Sequence, residues 1–472
     1  MPRRNLALIL AIPALVLVGL TIRLTAPVPD KDYLLLKQIA EVLAKVDREY
    51  VRSLSDEERA EVIEHMIDGG LRRLDEHSEY MNLERSQQFN KDTEGKFSGI
   101  GVSIIADPVS NYLRIESLFP GNPAYEAGLA AGDLITQVDG KSTEGLRVDE
   151  VRKLIQGEPG TPVSLVIRRA GRNPTDETVV VVRGSVEVNP VSGVRRRPEK
   201  PIEWEFMLDP AAKIGYIRLS QFSANATLEL VAALKQLHEQ GAMSLILDLR
   251  EDPGGLLPQA ISVADLFLPG GRIVSTRSRS GTDQEFVAKP SPAGLGFAEV
   301  WPMVVLVNGH SASASEIVAA ALQDHNRAIV IGERTFGKGS VQKLFTIPGP
   351  PEASLKLTAE TYWRPNGKNI HRDPRTAKET DEWGVKPNPG FEVPLTDEDR
   401  QSWVRHMRER ELVTGKPGIA PPKVPDPRAP KKDEKPFEDR ALQKAVEYLK
   451  TKTAAHDKRP RPMDGFTGVE VM

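Results

Sequence analysis

Apolar residues follow three different spacings along the chain, and each predicts a different kind of structure. Leu6 to Ile22 is an apolar run broken only mildly by Pro13 and Gly19. From Tyr33 to Leu83 apolar residues recur every three or four positions, as at Leu36, Ile39, Leu43 and Val46, which predicts helices with one apolar stripe. A second helix there opens at Ser55, with Glu58 three residues on at capping-box spacing. Between Gly95 and Gly184 short strand-like runs alternate with turn residues. Strands are expected over Val102–Ile105, Leu113–Glu116, Leu134–Val138 and Val163–Arg168, with one helix over Val148–Ile155.

From about Ile214 fully apolar runs alternate with helical stretches. Strands are expected at Ile214–Leu219, Ser244–Leu249, Val304–Val307 and Ala328–Gly332, and helices at Thr227–Glu239 and Ser315–Leu322. Lys416–Pro436 is rich in Pro and Lys and reads as a solvated linker leading to a short helix, Asp439–Lys450. The alternation from Ile214 is the signature of an α/β or an α+β layer. The pattern divides into residues 1–30, a helical region 31–95, a strand-rich domain 96–185, a core 186–400 that also uses part of 31–95, and a tail 401–472.

Composition narrows the functions. The 472 residues carry 63 Lys+Arg against 66 Asp+Glu, a net charge of −3, so a dedicated nucleic-acid binder is not expected. Cysteine is absent, which excludes disulfides, thiolate metal ligands and a cysteine nucleophile. Arg3 and Arg4 precede the apolar run, and Asp30, Lys31 and Asp32 follow it. That order predicts a membrane anchor or a cleaved signal, with the rest of the chain translocated to the periplasmic side of the inner membrane, anchored or secreted. Ala26 is a poor cleavage site because Leu24 is not small.

Ser98-Gly99-Ile100-Gly101-Val102 puts two glycines where a loop enters a strand, so that backbone N–H groups can turn toward an anion. Pro123-Ala124-Tyr125-Glu126-Ala127-Gly128-Leu129, Gly132-Asp133-Leu134-Ile135 and Val138-Asp139-Gly140 follow, and together these resemble the PDZ-domain signature. The resemblance implies a carboxylate loop at Gly99, Ile100, Gly101 and Val102, and a peptide groove lined by Val148, Val151 and Ile155. Arg168 and Arg169 lie on a late strand as solvated charge or as substrate sensors.

The chemistry lies between Val304 and Gln342. An apolar strand runs into Asn308-Gly309-His310-Ser311-Ala312-Ser313-Ala314-Ser315-Glu316 and an Ala-rich helix. Ser313 and Glu316 have capping-box spacing, so Ser313 is either an N-cap or a nucleophile beside the positive helix end. His310, His325 and Lys338 are the candidate bases. Lys338, in Phe336-Gly337-Lys338-Gly339, serves only if neutral, and Gln342 four residues on could orient its amine. Gly332 to Lys338 also reads G-x-x-x-x-G-K, most of a P-loop, but Gly339 stands where the magnesium-binding Ser or Thr belongs. Leu247-Asp248-Leu249-Arg250-Glu251-Asp252-Pro253-Gly254-Gly255 ends a strand in a glycine turn able to supply an oxyanion donor.

These three segments behind a PDZ-like region resemble the C-terminal processing (tail-specific) proteases. Leu74-Asp75-Glu76-His77-Ser78-Glu79-Tyr80 and Pro365-Asn366-Gly367 resemble that family as well. The resemblance spans roughly Tyr33 to Phe391. It implies Ser313 as nucleophile, Lys338 as general base, Gln342 orienting it, and an oxyanion hole from Ala314 with Gly254 or Gly255. Asp324 matches a structurally important acid. The fold implied is α+β, a mixed ββα, crotonase-like core with an inserted PDZ domain, and no metal or cofactor is required. Expected partners are protein substrates with exposed apolar C-termini, with an adaptor and self-association through the helical ends also conceivable. A silent PDZ scaffold is the alternative. Three features depart from the family: Glu251-Asp252 where an asparagine is common, a long Asn369–Val385 segment, and the tail beyond Lys416.

Overall fold

The structure is a computed structural model that describes residues 30–94, 96–107, 109–169, 176–187, 189–290, 295–349, 352–373, 377–378, 380–416 and 437–456. The expected anchor and most of the Pro/Lys-rich linker lie outside the described residues. Two units divide the chain at Glu76.

The first unit contributes two helices, Asp30–Glu49 and Asp56–Leu71. Ser55 caps the second: its hydroxyl accepts the Glu58 N–H at 3.2 Å, and the Glu58 carboxylate accepts the Ser55 N–H at 3.0 Å. Tyr33, Leu34, Leu35, Leu36, Ile39 and Val42 are exposed, so the periodic apolar stripe is not buried within the unit. Among the described residues no helix is long and apolar enough to cross a membrane.

The second unit begins at His77. Its centre is a run of four parallel strands in the order Ile214–Leu219, Ser244–Asp248, Met303–Val307 and Ile329–Gly332. These are continuous apolar runs because both faces are covered. Leu245, Leu247, Val305, Val307 and Val330 face the helices Ala226–Glu239, Leu257–Asp265 and Ala314–Asp324. Ile246, Val304, Leu306 and Ile331 face the opposite way, onto Ala441, Ala445 and Leu449 of the helix Arg440–His456. The tail helix is therefore core structure. It starts on a buried network in which Asp439 and Asp248 both grip Arg250, and Tyr216 donates to Asp248 at 2.8 Å. Burial works against ionisation of Asp248, but Arg250 overrides it and holds the carboxyl below its ordinary range.

A second, antiparallel sheet holds Glu79–Met81, Gly271–Ser278, Gln284–Ala288, Ser340–Ile347 and Ala353–Trp363. The sheet of the PDZ-like region orders Val102–Ala106, Leu113–Leu118, Leu134–Val138, Pro162–Arg168 and Asp176–Val182. Its entry and exit are zipped by pairing of Lys96–Gly99 with Gly184–Glu187. A strap after the helix Asp397–Glu411 ties it to the rest: Val413 is buried in the PDZ core, and its carbonyl accepts the Leu118 N–H at 3.1 Å.

Candidate active site

Three loops leave the carboxyl ends of three adjacent parallel strands. Those after Ser244–Asp248, Met303–Val307 and Ile329–Gly332 carry Gly254-Gly255, Ser313 and Lys338 respectively. Parallel α/β layers place ligands at that end of the sheet. Ser313 has φ 55° and ψ −111°, a conformation costly for any residue with a Cβ. It is 7 % exposed, immediately before the helix Ala314–Asp324. The Ala-rich sequence of that helix allows close packing against the sheet.

Glu316 explains how the strained turn is held. Its Oε2 accepts the Ser313 N–H and the Lys338 N–H, each at 2.8 Å. Its Oε1 accepts the Gly337 N–H at 2.7 Å and the Thr335 hydroxyl at 2.5 Å. The capping-box spacing is real, but the glutamate reaches past its own helix to fix the 335–338 loop. Burial pushes the Glu316 carboxyl up to about 7, with the four donors pulling it back.

Gly254 has φ +99°, and a Cβ there would lie 2.7 Å from Ala312 O, 2.8 Å from Ser313 Cβ and 2.9 Å from Ala314 N. Only glycine lets this loop touch the Ser313 turn. The Gly254 N–H donates to Asp252 Oδ1 at 2.8 Å, so that amide is already committed. Gly255 bridges to Phe222, and its own N–H has no partner among the described residues.

The Lys338 loop is equally close-packed. A Cβ at Gly337 would meet Arg372 and Trp383, and one at Gly339 would strike the His371 backbone. The Arg334 and Arg372 guanidiniums lie over the Trp383 ring, 3.4 and 4.7 Å from its centroid. His371, Arg372 and Trp383 thus back the loop. Gln342 donates its amide to Ser340 Oγ at 3.0 Å and Thr358 Oγ1 at 3.1 Å, leaving its Oε1 as the atom able to accept from an amine. Burial pushes the hydroxyl of Tyr362, which the sequence pattern did not single out, up to about 12, with the Ser313 side chain pulling it back.

The family model described as Peptidase family S41 matches residues 213–388, and one described as PDZ domain matches residues 114–169. A carboxy-terminal-processing protease of Bartonella bacilliformis is 36 % identical over 403 residues, covering 83 % of this chain and 86 % of the relative. The chain belongs to the carboxyl-terminal-processing proteases of family S41. A Synechocystis member is 38 % identical over 373 residues, covering 77 % of this chain and 79 % of its own. The photosystem II D1 C-terminal processing protease is 28 % identical, covering 74 % and 86 % of the two chains with a TM-score of 0.41. This family membership makes the chain a serine-type protease with a PDZ domain.

In this protease the competing bases are committed elsewhere. The His310 side chain is 57 % exposed and its Nδ1 lies 2.8 Å from Glu251 Oε2. His325 sits at the far end of the Ala314–Asp324 helix, with Nε2 2.7 Å from Arg272 O. The P-loop reading fails because the Gly337 and Lys338 N–H groups, which would cradle a phosphate, are occupied by Glu316. Asp324 pairs with Arg364 at 2.6 Å and receives Asn366, a structural clamp.

The PDZ region holds a cavity of about 780 Å³ lined by residues 98–102, Phe119, Val148, Arg152 and Ile155, and also by Arg85 and Gln88. Gly99, Ile100, Gly101 and Val102 all border it. Val151 does not. It lies three residues from Val148 on the inner side of the helix, is fully buried, and packs in the PDZ core. Arg152, on the next position, takes the place expected for it. Arg168 pairs with Asp176 at 2.8 Å, and Arg169 with Asp133 at 2.7 Å.

Proposed function

We propose that the chain is a Ser–Lys endopeptidase that reads the free C-terminus of protein substrates through its PDZ groove. The observation carrying this reading is the positive φ of Ser313 at a helix N-terminus, on a turn whose amide shares a carboxylate oxygen with that of Lys338. Strain of this kind at a buried serine is the mark of a hydroxyl aimed at substrate.

A substrate tail adds to the groove with its carboxylate on the Gly99–Gly101 loop, its apolar end between Val148 and Ile155. The chain then reaches Ser313. The neutral Lys338 amine takes the Ser313 Oγ proton as Oγ bonds to the scissile carbonyl carbon, Gln342 orienting the amine. The oxygen becomes an oxyanion held by the Ala314 and Gly255 N–H groups. Collapse breaks the C–N bond, and the Lys338 ammonium gives its proton to the leaving amine. Water, deprotonated by Lys338, then attacks the acyl carbon, and the ester C–O bond breaks as Lys338 returns the proton to Ser313 Oγ. The core in this reading is of the crotonase-like kind. The enzyme works in the cell envelope, on the periplasmic side of the inner membrane. An adaptor and self-association through the exposed helix Asp30–Glu49 fit the same picture.

The test compares cleavage of one unfolded protein ending in apolar residues with the same protein amidated at its C-terminus. Weaker cleavage of the amidated form is expected, seen mainly in KM. Equal cleavage of both would remove tail recognition from the account, and peptide binding without cleavage would favour a scaffold.

A further inference from the structure

Asp252 lies one residue before Pro253-Gly254-Gly255, is 0 % exposed, and is not used by the mechanism above. It stitches two loops together. Its Oδ1 accepts the Gly254 N–H at 2.8 Å, while its backbone carbonyl accepts the Ala312 N–H at 3.0 Å and the Ser315 hydroxyl at 2.9 Å. Gly254 in turn lies against Ser313 and Ala314. The second carboxyl oxygen, Oδ2, is buried with no hydrogen-bond partner. A carboxylate in such a place would be a buried charge with no direct counter-ion, among the costliest arrangements a protein can hold.

We propose that Asp252 is a positioning residue that works as a neutral carboxylic acid, holding Gly254, and through it the Gly255 amide, in register with the nucleophile turn. Oδ1 is then the carbonyl oxygen that receives Gly254, and the proton sits on Oδ2. Charged groups around it leave this state in place. Among the described residues Arg218, on the strand Ile214–Leu219, is the cation that acts on it, and its guanidinium is paired with Glu411 at 2.6 Å. Glu316 on the following helix is committed to the 335–338 loop, His310 and Glu251 pair with each other, and Asp248 with Arg250. Burial raises the acid well above the ordinary carboxylate range, against the pull of Gly254, Ser315 and Arg218.

The sign follows from linkage. An acid raised in the folded state stabilises it fully below the ordinary aspartate range, and that contribution is lost as pH rises through the raised value. Alkaline pH therefore puts a charge under the Gly254 loop, loosening the oxyanion donor. This inference rests on the Ser313 reading for its activity arm and on geometry alone for its stability arm.

The experiment uses the full-length chain and Asp252→Asn, which keeps the Oδ1 acceptor and the shape but cannot ionise. Cleavage of an unfolded protein and melting temperature are measured from pH 6 to pH 10. The ratio of variant to unmodified kcat/KM cancels pH effects common to both proteins and is expected to rise about ten-fold from the acid to the alkaline end of that range. The melting-temperature difference is expected to move the same way. A flat ratio with parallel melting curves overturns the proposal. If neither protein cleaves at any pH, the proposed function fails, and the melting arm alone decides the state of Asp252.

Discussion

The backbone amides of Ser313 and Lys338 donate to the same oxygen of Glu316, each at 2.8 Å. Two loops 25 residues apart in sequence are thereby fixed by one buried carboxylate. Glycines at 337 and 339 let the second loop approach its neighbours without a Cβ in the way. Placement of this kind is what an intramolecular proton transfer needs, since geometry supplies much of the rate.

Replacing Glu316 by Gln should cost about 100-fold or more in kcat. A glutamine puts an NH₂ where two of the four donors now point, so the turn and the lysine loop lose their common anchor. The pH response should also change. Glu316 is raised to about 7 in the folded protein, so its contribution to stability is full below about 4.3 and is lost as pH rises through 7. Activity moves the other way, because only the ionised carboxylate accepts all four donors. Melting curves and kcat between pH 5 and 8 check both: the unmodified protein loses melting temperature and gains kcat, and Glu316→Gln shows a smaller change in each.

Gly254→Ala should leave a chain that folds with a lowered melting temperature and has lost at least 100-fold in kcat/KM. The added methyl enters a backbone position with φ +99° and meets atoms of Ala312, Ser313 and Ala314 at 2.7–2.9 Å. Circular dichroism beside the kinetic assay separates the two effects.

Tyr362→Phe should lower kcat by about five- to ten-fold with KM nearly unchanged, the loss of one polar interaction with the Ser313 side chain worth ~1 kcal/mol. With its hydroxyl pushed up to about 12, Tyr362 is no base near neutral pH and is expected to act by orienting Ser313. A pH–rate profile of the variant with the same inflections as the unmodified protein checks that assignment.

Much of this was legible in the residues because the relevant signals are local. Strands such as Met303–Val307 are unbroken apolar runs, and the helix Val148–Ile155 has the expected bounds. Ser313, Lys338 and the Gly254-Gly255 turn were marked by glycines and by a helix start. What spacing could not give is direction. Val148, Val151 and Ile155 share one periodicity, yet Val151 faces the PDZ core while Arg152 borders the groove. Glu316 reads as an ordinary capping residue because its partners at 335–338 are distant in sequence. The helix Arg440–His456 looked like an appendage behind a linker. Its Ala441, Ala445 and Leu449 complete the core, and no pattern in seventeen residues says what they cover.

The central claim is that Ser313 attacks and Lys338 removes its proton. The full-length chain, Ser313→Ala and Lys338→Ala should be incubated with the same unfolded protein substrate and the cleavage rates compared. The account predicts that both variants fold, as melting curves will verify, and that both lose cleavage by at least 1,000-fold. Lys338→Ala that still cleaves would contradict it and move the base to another residue.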